Sequence, residues 1–161
     1  MGLFSFIKNA GVKVFGIGKT DAEEAAEAAA RKLKQEEAAA RKLEETITDL
    51  QLQVEGLKVF IDGDVATISG LAYNQATREK VVLVVGNSNG IATVDDQMTV
   101  EHEAPVAQFH TVASGDTLGK IAKTYYGNAM KYPVIFEANK PMLTHPDKIY
   151  PGQVLRIPSL D

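Results

Sequence analysis

The chain has 161 residues, of which 45% are hydrophobic, and this is enough for one ordinary domain or for two small ones. Seventeen basic and twenty-one acidic residues give a net charge of -4. Because nucleic-acid binding needs a concentrated basic face, we expect no nucleic-acid partner. The chain contains no cysteine. This excludes disulfides, thiolate metal sites and a cysteine nucleophile, and it fits a reducing compartment.

The segment 1–19 is apolar, but two lysines interrupt it, so it predicts neither a signal peptide nor a membrane span. We therefore expect a cytoplasmic protein. The spacing of apolar residues from Leu3 to Phe15 fits one helical stripe, although Gly11 makes two short turns equally compatible with it. We expect this segment to dock on the domain that follows, and an interfacial membrane helix is the alternative.

Residues 20–42 form an Ala-rich stretch of strong helix formers, and Thr20 and Glu23 have the spacing of a capping box. This stretch predicts a solvated helical spacer that carries no chemistry. From Leu43 to Val54 the apolar residues follow a helical stripe, so we expect the later part of the helix to face a core and to end at Gly56.

The region 43–103 has the pattern of a small α+β domain. Two alternating stretches flank Asp62–Asp64 and predict a hairpin. Asn74 is a candidate cap for a helix that runs to about Val85, and the glycines at 86 and 90 end that helix. The stretch 92–100 alternates as a third strand. We therefore predict two helices on one face of a three-stranded sheet.

The polar connection 101–108, EHEAPVAQ, contains a proline and marks a domain boundary, with the linker predicted at 104–108. The region 109–158 then reads as strand, helix, helix, strand. Asp116 is the expected cap of its first helix, and Gly127 is the expected end. A second helix is predicted over 130–139, and the final strand is predicted in QVLRIP.

Residues 109–158 resemble the LysM family, because SGDTL, YGN, FEANK and IYPGQVLRIP occur in the order and spacing of that family. Residues 38–103 resemble a BON domain through IDGDVATISG and VVLVVGNSNGIATVDDQ. Together with the opening MGLFSFIKNAG, the whole chain resembles the bacterial cytoplasmic potassium-binding proteins that join BON to LysM. The resemblance implies an α+β fold, with a BON-like αββαβ domain followed by a LysM-like βααβ domain.

The resemblance also implies a potassium ion as ligand. Potassium is a large cation that several neutral carbonyl oxygens satisfy without a charged side chain, and helix C-termini expose such carbonyls. By similarity, the main-chain carbonyls that hold the ion are those of Ile7, Ala10, Val12, Gly86, Ser88 and Ile91. The implied role is that of a monomeric sensor or buffer of cytoplasmic potassium and other large monovalent cations. In this role, the ion orders the BON domain and its packing with LysM.

The sequence also bears on two other classes of function. LysM domains are known for peptidoglycan, so a groove for N-acetylglucosamine between Gly115–Thr117 and Ile149–Pro151 is the alternative, with glycan or protein contact through LysM. An enzyme is not expected. The three histidines, His102, His110 and His145, lack the spacing of zinc ligands, and no phosphate loop or nucleophile elbow occurs.

Overall fold

A computed structural model describes residues 2–5 and 21–160 of the chain. The elements of the N-terminal unit are β1 (Gly2–Ser5), α1 (Asp21–Asp49), β2 (Val54–Asp62), β3 (Val65–Asn74), α2 (Gln75–Gly86), β4 (Thr93–Asp96) and β5 (Thr99–His102). The C-terminal unit consists of β6 (Gln108–Thr111), α3 (Leu118–Tyr126), a 3-10 turn (Ala129–Lys131), α4 (Tyr132–Ala138) and β7 (Val154–Ile157). The chain is therefore α+β, as its sequence predicts.

The N-terminal sheet has the strand order β1-β4-β3-β2, and β5 also pairs with β3. Strands β2 and β3 form the predicted hairpin, and both β4 and β5 run parallel to β3. Helices α1 and α2 bury their apolar residues against one face of this sheet, and Ile47, Ile68, Val82 and Val94 belong to the shared core. Burial of this apolar surface is the main source of stability for the unit.

Helix α1 also covers the free edge of β2. Glu44 accepts a hydrogen bond from the backbone N–H of Val59 (2.8 Å), and Glu36 accepts one from the N–H of Gly63 (2.7 Å). These carboxylates satisfy donors that an uncovered edge strand would offer to another chain. Most of α1 before Glu36 is exposed to solvent, as expected for an Ala-rich spacer.

The first strand corrects one prediction. Leu3 and Phe4 lie in β1, which pairs antiparallel with β4, and are not part of a helical stripe. The rest of that stripe lies outside the described residues. The physical reason is that the edge of β4 offers backbone hydrogen bonds to residues 2–5. Because β4 is distant in the sequence, the local spacing of apolar residues cannot predict this pairing.

Two further predictions were wrong in detail. Helix α1 ends at Asp49, and Gly56 lies inside β2 at a register shift, with a φ of 64°. The predicted third strand is divided into β4 and β5, because the side chain of Asp96 accepts the N–H of Met98 (2.9 Å) and interrupts the ladder. The predicted cap of α2 is confirmed, since Asn74 accepts the N–H of Thr77.

In the C-terminal unit, β6 and β7 pair antiparallel, and α3 and α4 pack on them around Leu118, Ile121, Ile135 and Leu155. Gly127 ends α3 in the left-handed conformation, as predicted. The cap of α3 is Thr117 and not Asp116.

The two units contact each other through α2, β6 and β7. Arg156 of β7 donates to the buried Glu79 of α2, with 3.4 Å between Nε and Oε2, and Glu79 also accepts the N–H of Ala107. The rings of Phe4 and Phe109 lie 5.3 Å apart between their centroids. Within the described ranges, no helix has the length and apolar composition needed to cross a membrane.

Candidate functional site

The turn that follows α2, residues 86–91, is the part of the structure that fits the predicted carbonyl site. Helix α2 ends at Gly86, and its last turn contains no basic residue. The negative end of the helix dipole is therefore not offset by a lysine or arginine of the helix itself, and this favours a cation beside the last carbonyls. Gly86 and Ile91 are buried, whereas Ser88 is half-buried.

The hydrogen bonds of this turn leave carbonyl oxygens available. The N–H groups of Asn87 and Ser88 donate back into the helix, and the Ser88 hydroxyl donates to the carbonyl of Val84 (2.6 Å). The carbonyl of Ser88 accepts only a long bond from the N–H of Ile91 (3.3 Å), so it keeps a free lone pair. Among the described residues, no N–H group donates to the carbonyls of Gly86 or Ile91.

The conformation of the turn depends on Gly90, whose φ is 88°. A side chain at this position would find open space, but the left-handed backbone would be strained for any residue with a Cβ. The chain then continues into β4, and the N–H groups of Ala92 and Thr93 both donate to the carbonyl of Asp64. The turn is therefore fixed at its start by α2 and at its end by the β2–β3 hairpin.

Strand β1 ends close to this turn. Its register pairs Gly2 with Asp96 and Ser5 with Thr93, so the chain runs along β4 in the direction of Ile91. Ser5 lies opposite Thr93, which is two positions after Ile91. The predicted ligands Ile7, Ala10 and Val12 lie outside the described residues.

A cavity of about 440 Å³ adjoins the turn on the side of α1. Its lining includes Ser88 and Ile91 of the turn and Lys42 of α1, and Lys42 is exposed. Lys42 adds a positive charge near the carbonyls, which opposes cation binding and is weakened by solvent screening.

Asn87, between two of the predicted ligand residues, has a role that sequence reasoning missed. Its side chain donates from Nδ2 to the carbonyl of Val154 (2.9 Å) and accepts the N–H of Val154 at Oδ1 (2.8 Å). The turn is thus joined to the edge of β7, across 67 residues of sequence. The sequence NSNG indicates only a turn, and no local signal identifies a partner so distant in the chain.

In the C-terminal unit, the other candidate region is held together by side chains. Asp116 accepts the N–H of Ala113 (2.9 Å) and contacts Nε2 of His110 (3.0 Å), and both contacts hold the pKa of its carboxyl below the ordinary value. Lys120 donates to the carbonyl of Gly115 (3.0 Å). Tyr150, on the other predicted side of the sugar groove, is half exposed.

Comparison with known proteins shows that the LysM domain family matches residues 110–158. Over 161 residues, the chain is 44% identical to the potassium binding protein Kbp of Escherichia coli O6:H1, and the match covers 98% of this chain and 99% of the relative. The chain belongs to the Kbp family. A second relative, a protein of Deinococcus radiodurans described as uncharacterized, is 51% identical over 49 residues, which are 30% of this chain and 19% of that protein. The Kbp relationship therefore extends over both units, whereas the second similarity is confined to a short stretch.

Proposed function

We propose that this chain is a cytoplasmic potassium-binding protein and not an enzyme, and that the main-chain carbonyls of residues 86–91 form half of its ion site. The observation that carries the proposal is the turn after α2, where the Gly86 and Ile91 carbonyls receive no N–H donor from the described residues. The near full-length similarity to a protein named for potassium binding supports the same ligand.

The other half of the site is assigned to the carbonyls of Ile7, Ala10 and Val12. The antiparallel register of β1 and β4 supports this assignment, because β1 ends at Ser5, opposite Thr93 and two residues from Ile91. Several neutral oxygens around a cation replace the hydration shell of potassium without adding a negative charge. The same geometry would accept other large monovalent cations.

Ion binding would stabilise the folded protein and link its two units. A ligand that binds only the folded form at a hundredfold excess over its Kd adds about 2.7 kcal/mol to stability. Because Asn87 lies between Gly86 and Ser88 and is bonded to Val154, order in the turn favours the contact with β7. This behaviour suits a sensor or a buffer of potassium in the cytoplasm.

The first test is a thermal melt in KCl and in NaCl at equal ionic strength, combined with carbonyl ¹³C shifts from NMR. We expect a higher Tm in KCl and potassium-dependent shifts for the carbonyls of Gly86, Ser88 and Ile91. The carbonyls of Gly115 and Gly127 are controls in the other unit. Equal melting curves would contradict potassium binding, and a rise in Tm without these shifts would place the ion elsewhere.

The N-terminal half of the site is tested by replacing residues 7–12 with a Gly/Ser segment of equal length. This variant keeps β1, which a deletion of the N-terminus would remove together with its pairing to β4 and the contact of Phe4 with Phe109. We expect the difference in Tm between KCl and NaCl to disappear while the amide spectrum stays that of a folded protein. Because this variant still carries backbone carbonyls, a retained difference would show only that the side chains of residues 7–12 are not needed. An absence of potassium-dependent ¹³C shifts at the carbonyls of Ile7, Ala10 and Val12 in the unaltered chain would exclude these ligands.

Binding of peptidoglycan or N-acetylglucosamine is the second candidate, and the family match over 110–158 favours it. The exposed Tyr150 would lie at the groove. Titration with soluble chitin oligomers tests this function, with Tyr150→Ala as the variant that should weaken binding and Tyr132→Ala as a partly exposed control. An absence of saturable shifts near residues 115–117 and 149–151 would contradict glycan binding, and the LysM unit would then be interpreted as a module that docks on the rest of the protein.

A further inference from the structure

A second cavity, separate from the turn at 86–91, lies where the two units meet. It has a volume of about 320 Å³, and its walls come from β1, α2, the linker and β6. The apolar part of the lining is formed by Phe4, Val82, Val106 and Phe109. Small-molecule sites are typically cavities of this kind, with a mostly apolar wall and a few placed polar groups at a domain boundary.

The charged groups of this cavity are already paired. Arg78 donates from Nε to Asp96, with 2.7 Å to Oδ2, and Asp96 is only 3% exposed. Glu79 is bonded to Arg156 and to the N–H of Ala107. Because the fixed charges cancel, a charged ligand would lose its hydration without gaining a counter-ion. The cavity therefore favours an uncharged ligand.

Gln75 is the polar group that the fold does not use. Its side chain is 92% buried and lines the cavity, but its amide makes no hydrogen bond to the described residues. Every fully enclosed side-chain nitrogen and oxygen in the described part of the chain has a partner, so the amide of Gln75, a residue of the cavity wall, is not fully enclosed. Water can therefore reach this amide, and a ligand amide that replaces the water gains a direct hydrogen bond in a site that protein mostly encloses.

We propose that this cavity binds a small uncharged molecule that carries a planar amide on an aromatic ring. The amide of Gln75 has one acceptor and two donors, and a second amide complements it with a carbonyl and an N–H group side by side. Arg78 contacts Asp96 through Nε, so its Nη atoms remain to donate to the ligand carbonyl. The ring would pack against the two phenylalanines, which form a tilted pair at 38°.

The proposal does not depend on potassium binding, and it is tested on the full chain with benzamide as the probe. We expect saturable amide shifts at Gln75, Arg78, Ala107 and Phe109, with a Kd on the order of 1 mM for so small a ligand. Benzoate should bind at least about tenfold more weakly than benzamide, because its charge must be desolvated. Toluene should also bind at least about tenfold more weakly, because it lacks the amide and cannot form the hydrogen bonds.

Gln75→Leu keeps the size of the side chain and removes its amide, so it should weaken benzamide about tenfold and leave toluene unchanged. Gln53→Leu, at an exposed glutamine, is the matched control. The amide spectrum of Gln75→Leu shows whether it folds, and the three probes test the wild-type chain independently of that variant. An absence of saturable shifts, equal binding of toluene and benzamide, or unchanged benzamide affinity in a folded Gln75→Leu would each overturn the proposal.

Discussion

The two units satisfy the backbone of their turns in different ways. In the LysM unit, side chains of the same unit bond to the backbone of the turn. Asp116 accepts a hydrogen bond from the N–H of Ala113, and Lys120 donates one to the carbonyl of Gly115. In the N-terminal unit, Asn87 binds the other unit, and the carbonyls of Gly86 and Ile91 receive no donor from the described residues. A turn that completes its own hydrogen bonds is structural, whereas one that leaves carbonyls open is suited to a ligand.

Two asparagines bond to the backbone of β7, one from the same unit and one from the other unit. Asn139 of the LysM unit donates to the carbonyl of Arg156 (2.8 Å) and accepts its N–H (2.8 Å), and it is almost fully buried. Asn87 makes the same pair of bonds to Val154 from the other unit. One asparagine therefore belongs to the fold of LysM, and the other joins LysM to the turn.

The largest effect is expected from Asn139→Ala. The change leaves two partly buried backbone groups of Arg156 without their partner and also removes a buried bond to the carbonyl of Ile135, so we expect a loss of about 3 kcal/mol in the free energy of unfolding. Denaturant unfolding in KCl and NaCl measures it, and the loss should be equal in both salts. A loss seen only in KCl would contradict a purely structural role.

Asn87→Ala should cost about 1–2 kcal/mol, because two hydrogen bonds across the units are lost while each unit keeps its core. If the turn holds the ion, the difference in Tm between KCl and NaCl should also shrink. The adjacent Asn89 is exposed and makes no side-chain hydrogen bond to the described residues, so Asn89→Ala is the control. An unchanged difference in Tm in Asn87→Ala would show that potassium binding does not depend on the bonds between Asn87 and Val154.

Gly90→Ala and Gly115→Ala compare the two turns directly. Their φ angles are 88° and 86°, and neither position has an atom within 4 Å of an added Cβ. We expect each variant to lose about 1–2 kcal/mol of stability from backbone strain. Only Gly90→Ala should also lose part of the potassium response. Equal potassium responses in the two variants would argue against a site at residues 86–91.

Acid stability tests how much Asp116 stabilises its turn in the LysM unit. The hydrogen bond from Ala113 and that from His110 lower the pKa of Asp116 from its ordinary value of 3.8. A lowered folded-state pKa means that this stabilisation is present above about pH 4 and is lost as the pH falls through the folded value. Melts from neutral to acidic pH should show a smaller acid-induced loss in Asp116→Asn than in wild type. Asp147→Asn, at an exposed position, is the control and should follow wild type.

The smallest effect is expected from Lys42→Gln, which removes a positive charge beside the turn. Potassium affinity should rise about twofold, and the gain should diminish when ionic strength is raised with a sodium salt, because solvent and salt screen an exposed charge. Lys34→Gln makes the same change in net charge about 12 Å earlier along α1. Equal effects of the two variants would show that only the net charge matters.

Much of the local structure follows from the sequence. Asn74 begins α2 and Gly127 ends α3, as predicted, because caps and left-handed glycines act through bonds within a few residues. The turn after α2 was also predictable, since the glycines at 86 and 90 end the helix. Predictions failed at Gly56, where strand pairing overrides the local pattern, and at Asp96, whose side chain bonds the N–H of Met98 and interrupts the strand.

The sequence by itself determined the two units, the ends of their main helices and the turn at residues 86–91, because periodicity and capping are local properties. Only the tertiary structure decided that β1 pairs with β4 beside that turn and that Asn87 binds Val154. It also placed Gln75, which has no hydrogen-bond partner among the described residues, at the cavity between the units. These features depend on which distant backbone and side-chain groups meet when the core packs, and no local pattern encodes that choice.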